Sequence, residues 1–357
     1  MRCNSTIKPK NFLELRSKVL EALLLHDLGE VFHGVFYALV EDETSPNGET
    51  EENECGEHAQ YHSRDAVVTG AFHFFFLQSD EFLQEGFGGG HVVRLDFARY
   101  STPMWIDTHC HPFVNASLAE QEAILARARE AGVGQMIVVG FDKVANREAV
   151  RMAEAHEGLW AAVGVHPCEC AAWTDEEEVF IREAAKNPKV VALGEMGMDF
   201  YHKDFPKDVQ EATFRRQIRL ANELDLPCIV HSREAAEDTL RILLDEGAKR
   251  AVFHCYSYDY EFGKKVWAAG YYTSFSGVLT YPNAKPIQEA AAKGPLDLML
   301  IETDCPWLAP QSIRGKPNEM AFVGEVGKKL AELRGVDSEE IQEICLRNAN
   351  RLFVKNT

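Results

Sequence analysis

Met104-Trp105-Ile106-Asp107-Thr108-His109-Cys110-His111-Pro112 is a short apolar run that ends in two histidines one residue apart. It reads as a strand closed by polar residues and a proline, and it opens a regular beat. Further apolar runs follow at Met136–Gly140, Trp160–Val165, Val190–Gly194, Pro227–Val230, Ala251–Phe253, Gly270–Phe275 and Leu298–Thr303. Helix-like stretches such as Leu118–Ala131, Val144–Glu157 and Val209–Leu224 separate them. Strand alternating with helix specifies a parallel sheet, because parallel neighbours need a crossover of helical length. Eight units in the 253 residues from 105 to 357 match a (β/α)8 TIM barrel, whose usual size is about 250 residues. An open doubly wound sheet is the rival; eight evenly spaced units favour closure.

Upstream of Pro103 the beat is absent. Asn11 to Asp27 has helical spacing, with Phe12, Leu15, Val19, Leu20 and Leu23 at three- and four-residue steps. His33–Val40 and Asp65–Leu77 read as strands, and the acidic stretch 41–57, with Pro46-Asn47-Gly48, reads as a solvated loop. A small α+β module at 1–104 is therefore expected before the barrel at 105–357, and its residues do not disclose a role. Cys55, His58 and His62 superficially match a zinc-ligand spacing but have no fourth ligand nearby. Phe72 to Phe76 is best read as a core or interface strand.

Composition excludes several classes. With 46% hydrophobic and 26% charged residues, the chain is neither disordered nor fibrous. No apolar run approaches the roughly 20 residues of a membrane span, and the start lacks the apolar core of a secretory signal. Nine cysteines, an odd number without a dense framework, suggest reduced thiols and a cytoplasmic protein. The net charge is −19. Residues 1–104 hold 8 Lys and Arg against 17 Asp and Glu, and the rest hold 29 against 39. Such a surface gains little from binding a polyanion, because affinity for nucleic acid comes from cations that release counterions. If the substrate is nucleic acid, bound divalent ions must supply the attraction locally.

Barrel enzymes carry their reactive groups at the C-terminal ends of the strands. There the first run ends in His109 and His111, two apart and so on one face. The fourth ends in Glu195, the fifth in His231, the sixth in His254 and the eighth in Glu302-Thr303-Asp304. Each alone is weak: a His-x-His pair is more often incidental than metal-binding, Glu195 could be a cap partner and Asp304 a turn residue. Four imidazoles and two carboxylates at one structural level are hard to dismiss. They suit Zn, Mn or Mg, and six ligands are too many for one catalytic ion that keeps a position for water. Two divalent ions sharing a carboxylate fit better, and the chemistry implied is hydrolysis.

In these motifs the chain from about Trp105 to Phe353 resembles the TatD family of metal-dependent deoxyribonucleases, within the amidohydrolase superfamily. Asp107-Thr108-His109-Cys110-His111 is followed by Gly164-Val165-His166-Pro167 and by Gly194-Glu195-Met196-Gly197-Met198-Asp199-Phe200-Tyr201. Met196 and Met198 depart from the Thr or Ile and the Leu usual there. His231-Ser232-Arg233-Glu234-Ala235, Phe253-His254-Cys255-Tyr256, Ser274-Phe275-Ser276-Gly277, Glu302 to Pro310 and Arg314-Gly315-Lys316-Pro317-Asn318 complete the set. The resemblance implies that His109, His111, Glu195 and Asp304 hold one ion and that Glu195, His231 and His254 hold the second, with Glu195 bridging. It makes Asp304 the candidate base for the attacking water. His166 and Arg233 fall at the same rim and are assigned to substrate phosphate, against a hydrogen bond to a ligand for His166 and a salt bridge for Arg233. Tyr201 and Trp307 either stack on a base or wall the pocket. Cys168, Cys170 and Cys255, near the rim, are expected to be small buried side chains rather than a thiolate site.

The function expected is a cytoplasmic 3′-5′ exodeoxyribonuclease acting on single-stranded DNA or 3′ ends through a two-metal-activated water. The alternatives are hydrolysis of another ester at the same site (a D-aminoacyl-tRNA, a lactone or a related small substrate) and a binding or scaffold protein with a vestigial barrel. Oligomeric state is not legible.

Overall fold

The computed structural model describes residues 104–353. The expected N-terminal module lies outside them but for Met104, and so do the helix Asn11–Asp27, the acidic stretch 41–57, the Cys55/His58/His62 spacing and the phenylalanine run.

Eight parallel strands alternate with helices in chain order. They are β1 (Trp105–Cys110), β2 (Val133–Val139), β3 (Leu159–Val163), β4 (Val190–Asp199), β5 (Cys228–Arg233), β6 (Ala251–Phe253), β7 (Tyr272–Phe275) and β8 (Met299–Ile301). The connecting helices are α1 (Leu118–Glu130), α2 (Lys143–Ala155), α3 (Asp175–Ala184), α4 (Lys207–Leu224), α5 (Ala236–Asp245), α6 (Tyr260–Ala268) and α7 (Lys285–Lys293). Two more, α8 (Val323–Arg334) and α9 (Ser338–Phe353), follow β8. Strand order is strictly sequential from β1 to β8, which excludes the doubly wound rival, whose order reverses at a switch point. The sheet returns on itself at β8 and β1: Asp304 N donates to His109 O, His111 N to Cys305 O (both 2.9 Å), and Thr108 Oγ1 to Ile301 O at 3.0 Å. This is a TIM barrel.

Strands buried on both faces need unbroken apolar runs, and β3, β6, β8 and Met136–Val139 of β2 supply them. The helices start where side chains can cap them. Ser117 and Glu120 form a reciprocal capping box on α1, Asp142 accepts the Val144 and Ala145 amides on α2, and Thr174 and Asp259 cap α3 and α6. Each cap stabilises by about 1 kcal/mol. The apolar stripe of α2, Ala145, Ala149, Met152 and Ala153, faces the sheet at helical spacing.

Polar side chains on the helices fix the strand ends. Gln210 and Gln217 lie seven apart on one face of α4. Gln217 accepts the Val165 amide at 2.8 Å and donates to the Val165 carbonyl at 2.9 Å, while Gln210 does the same for Asp199 at 2.8 and 2.9 Å. Asn146 of α2 grips Gly164 through two bonds of 2.9 Å. Each amide satisfies a backbone pair at or beyond the end of a strand. Together they set the positions of His166 and Asp199 at the mouth of the barrel. Among the described residues no helix is long and apolar enough to cross a membrane.

Candidate metal centre

Two strands reach the site through irregular register. β1 spends three steps, Asp107 to Cys110, against two on β2, Met136 to Val138, and β4 spends three, Leu193 to Met196, against two on β5. An extra residue re-aims side chains, and here it turns His109 and Glu195 into the barrel. The close approach of β4 to β5 needs glycine: a Cβ on Gly197 would stand 1.9 Å from the His231 carbonyl oxygen, at a φ of +147°. On the far side Asp304 adopts a left-handed φ of +55°, a conformation that aspartate tolerates better than most residues.

The six histidines and acids expected as ligands come together. His109 Nε2 and His111 Nε2 are 2.9 Å apart. Glu195 Oε2 lies 3.4 and 3.8 Å from them, and Asp304 Oδ1 lies 3.6 and 3.4 Å away. Donors at 2.0–2.2 Å from a tetrahedral ion stand roughly 3.3–3.6 Å apart; the separations of His109 from Glu195 and of Asp304 from both histidines match this, while the 2.9 and 3.8 Å separations fall on either side of it. The other oxygen of Glu195 serves a second group: Oε1 is 2.8 Å from both His231 Nδ1 and His254 Nε2, which are 3.4 Å from each other. A carboxylate whose two oxygens face two separate donor sets is what a pair of cations requires. Imidazole and carboxylate donors suit Zn or Mn, and the residues fit the group.

Orientation of these rings comes from acids and a carbonyl behind them, as is usual for metal-binding histidines. His111 Nδ1 faces the Val139 carbonyl at 2.7 Å, which leaves Nε2 to point inward. His254 Nδ1 faces Glu302 Oε1 at 3.3 Å, and the same oxygen accepts the Cys255 amide at 2.6 Å. His231 Nε2 faces Asp199 Oδ2 at 3.1 Å. The His109 ring stacks on His254, centroids 4.0 Å apart. Asp107 ties β1 to the segment after β8, accepting Thr303 N at 3.0 Å, Thr303 Oγ1 at 2.5 Å and His109 N at 3.2 Å. Burial pushes its carboxyl up, to about 8, against those three donated bonds.

Burial opposes charge throughout the pocket, and opposite neighbours decide the outcome. Burial raises the Glu195 carboxyl, but His254, His166, His109 and His231 outweigh it and hold the group well below the usual carboxylate range. Burial likewise opposes the charge of His254, yet Glu195 and Glu302 hold it well above the usual imidazole value, and Asp199 and Glu195 raise His231. His109 is lowered, first by burial. Asp304 is lowered by His111 and His109 against the cost of burial. The carboxylates are thus anions waiting for cations.

The residues expected to bind substrate divide. His166 Nε2 lies 3.5 Å from Glu195 Oε1 and its Nδ1 accepts the Cys168 amide at 3.0 Å, so it joins the metal cluster. Burial, then His231, lowers it to about 3, which makes it neutral. Arg233 is exposed and forms no ion pair with a described carboxylate; its guanidinium lies 3.9 Å over the half-exposed ring of Tyr201. One face of Tyr201 is therefore covered by Arg233. Trp307, 47% exposed, stands edge-on to His111 at the rim. Cys170 is buried and Cys255 partly so, near the expectation, but Cys168 differs: its Sγ is 3.7 Å from His202 Nδ1. Sequence reasoning passed over Asp107, Asp199 and Glu302, each an acid two to four residues from an identified ligand.

A family model described as "TatD related DNase" matches residues 106–354. The metal-dependent hydrolase YabD of Bacillus subtilis (strain 168), described as uncharacterized, is 40% identical over 252 residues, 70% of this chain and 99% of that protein. The 3′-5′ ssDNA/RNA exonuclease TatD of Erwinia tasmaniensis is 33% identical over 242 residues, 66% of this chain and 93% of that protein. Among solved structures, the TatD homologue YjjV of Escherichia coli K12 matches with a TM-score of 0.67 at 33% identity, over 70% of this chain and 97% of its own.

Proposed function

Because this chain belongs to the TatD family of metal-dependent hydrolases, and is with it a hydrolase of ester bonds that uses divalent metal, we propose that it removes nucleotides from the 3′ end of single-stranded DNA. The observation that carries the reading is Glu195, whose two oxygens face two donor sets.

His109, His111, Glu195 and Asp304 would hold one ion; Glu195, His231 and His254 would hold the other. Bound divalent cations lower the pKa of water and offset the charge of a phosphodiester. Asp304, kept ionised by its imidazole neighbours, accepts the proton of the attacking water, as a base in hydrogen-bond reach can. His166 is neutral with Nδ1 committed to the Cys168 amide, so its ring proton is on Nε2, where it donates to Glu195 or to a phosphate oxygen. Arg233 keeps its donors for phosphate, and Trp307 and the open face of Tyr201 offer surfaces for a base. The positive groups are local, so the net charge of −19 is no obstacle. The seven described cysteines are free thiols, in keeping with a reducing cytoplasm.

The test is hydrolysis of labelled single-stranded DNA, with chelator and metal add-back. Stepwise loss of 3′ nucleotides, abolished by chelation and restored by metal, is expected. Cleavage of aminoacyl or lactone esters with none of DNA would move the reading to another ester. A protein that binds no divalent ion under any loading would leave only the scaffold.

A further inference from the structure

Beside the dinuclear candidate site lies a cluster of which the centre above uses only Asp199, behind His231. Cys168, Asp199 and His202 each offer a ligand atom, and the three atoms lie within 4.8 Å of one another. Three different elements bring them there: the turn after β3, the end of β4 and the loop that follows it. Asp199 is fixed by Gln210 at its backbone, and its Oδ1 accepts the amides of Tyr201 and His202 at 2.9 Å each, which leaves Oδ2 between His202 Nδ1 and His231 Nε2. His202 Nδ1 is 2.9 Å from Asp199 Oδ2 and 3.7 Å from Cys168 Sγ.

A cysteine beside a histidine and an aspartate suggests a nucleophilic triad, but the geometry excludes it. In a triad the thiol and the carboxylate address opposite ring nitrogens, so that one proton is taken as the other is held. Here sulfur and carboxylate both approach Nδ1, and one nitrogen cannot accept from the thiol while donating to the acid. S, N and O ligand atoms gathered within 4.8 Å of one another are instead a set that a cation can take. With Zn–S near 2.3 Å and Zn–N near 2.0–2.1 Å, a tetrahedral ion separates S and N by roughly 3.6 Å, close to the 3.7 Å found.

We propose that Cys168, Asp199 and His202 form a third metal site, selective for a thiolate-accepting ion such as zinc over magnesium, at the edge of the barrel mouth. Selectivity follows from the sulfur, since hard cations keep to oxygen ligands. On binding, the cation replaces the thiol proton, which leaves to solvent, and the imidazole proton moves to Nε2. Partly buried Cys168 and exposed His202 leave a fourth position open to water. Asp199 links this site to the dinuclear one, because Oδ2 also faces His231 Nε2 at 3.1 Å. The ion would add positive charge next to Tyr201, whose ring meets His202 at 5.1 Å, and hence beside Arg233.

The site stands independently of the nuclease reading, and the dinuclear donors are all nitrogen and oxygen. In a Cys55→Ser background, which removes the Cys55/His58/His62 spacing, a thiolate signal therefore reports this site. The full-length protein, reduced, stripped by chelation and titrated with cobalt(II), should show a near-ultraviolet sulfur-to-cobalt charge-transfer band. Cys168→Ser should abolish the band and lower the zinc content at saturation by one ion per chain, with circular dichroism unchanged. His202→Ala should shift the cobalt titration of the band at least tenfold to higher concentration. A wild-type protein without the band at saturation, or a band that survives Cys168→Ser in the Cys55→Ser background, overturns the proposal.

Discussion

Glu302→Gln separates the role of a charge from that of a shape. The side chain is fully buried, and Oε1 accepts the Cys255 amide at 2.6 Å and faces His254 Nδ1 at 3.3 Å. Glutamine keeps the volume and an acceptor oxygen, so the fold survives; the negative charge does not. A hydrogen bond to a charged group contributes about 1.5–3 kcal/mol against about 1 for a neutral one, so the change removes about 0.5–2 kcal/mol from the arrangement that aims His254 Nε2 at Glu195. At 1.4 kcal/mol per decade the centre should lose about tenfold in metal affinity, the low end of the 10–100-fold typical of such changes. Protonation adds a sign. Burial lowers His254, but Glu195 and Glu302 raise it well above the usual imidazole value, and proton and metal compete for the same lone pair. Removing the charge of Glu302 lowers His254, so acid competes less well in the variant. The full loss appears at alkaline pH, where His254 is already neutral, and shrinks as the pH falls through its titration. Zinc competition with a chromophoric chelator, in a Cys168→Ser background and on both sides of neutrality, measures this. Equal affinities at alkaline pH, or a gap that widens in acid, would refute the reasoning.

Asp304→Asn should lower kcat by about 10²–10⁴ while most metal stays bound, since the amide oxygen remains but cannot accept the water's proton; normal turnover would remove Asp304 as the base. Arg233→Ala, at an exposed guanidinium, should raise KM about 3- to 10-fold with little change in kcat, and an unchanged KM would take Arg233 out of phosphate contact. Gly197→Ala places a methyl 1.9 Å from the His231 carbonyl at a φ of +147°. Overpacking and backbone strain should cost about 2–4 kcal/mol in urea unfolding, and a loss below 1 kcal/mol would mean that β4 and β5 can part freely.

The barrel was legible because fully buried parallel strands leave unbroken apolar runs, and Ala251–Phe253 was read to the residue. Where a strand carries chemistry the signal fades. β4 continues five residues past Gly194 to Asp199, pairing with β5 as far as Arg233, but Glu195, Gly197 and Asp199 interrupt the apolar pattern that marks a strand. Positions of the ligands followed from where strands end, whereas their directions did not. Glu195 faces inward by means of a bulge, and alternation of period two cannot contain an extra residue. Asp107, Asp199 and Glu302 lie two to four residues from ligands already identified, but what they touch depends on neighbouring strands. His254 meets Glu302 across 48 residues, and no local pattern encodes that. Gln210 and Gln217 read as ordinary polar positions on an amphipathic helix; their function as clamps on two strand ends exists only in the assembled barrel.

Anomalous diffraction from crystals soaked in manganese, an ion that avoids thiolates, tests the centre most directly. Two peaks should flank the Glu195 carboxylate about 3.5–4 Å apart, one within bonding distance of His109, His111 and Asp304, the other of His231 and His254. A single peak, or two that do not share Glu195, would contradict a dinuclear site.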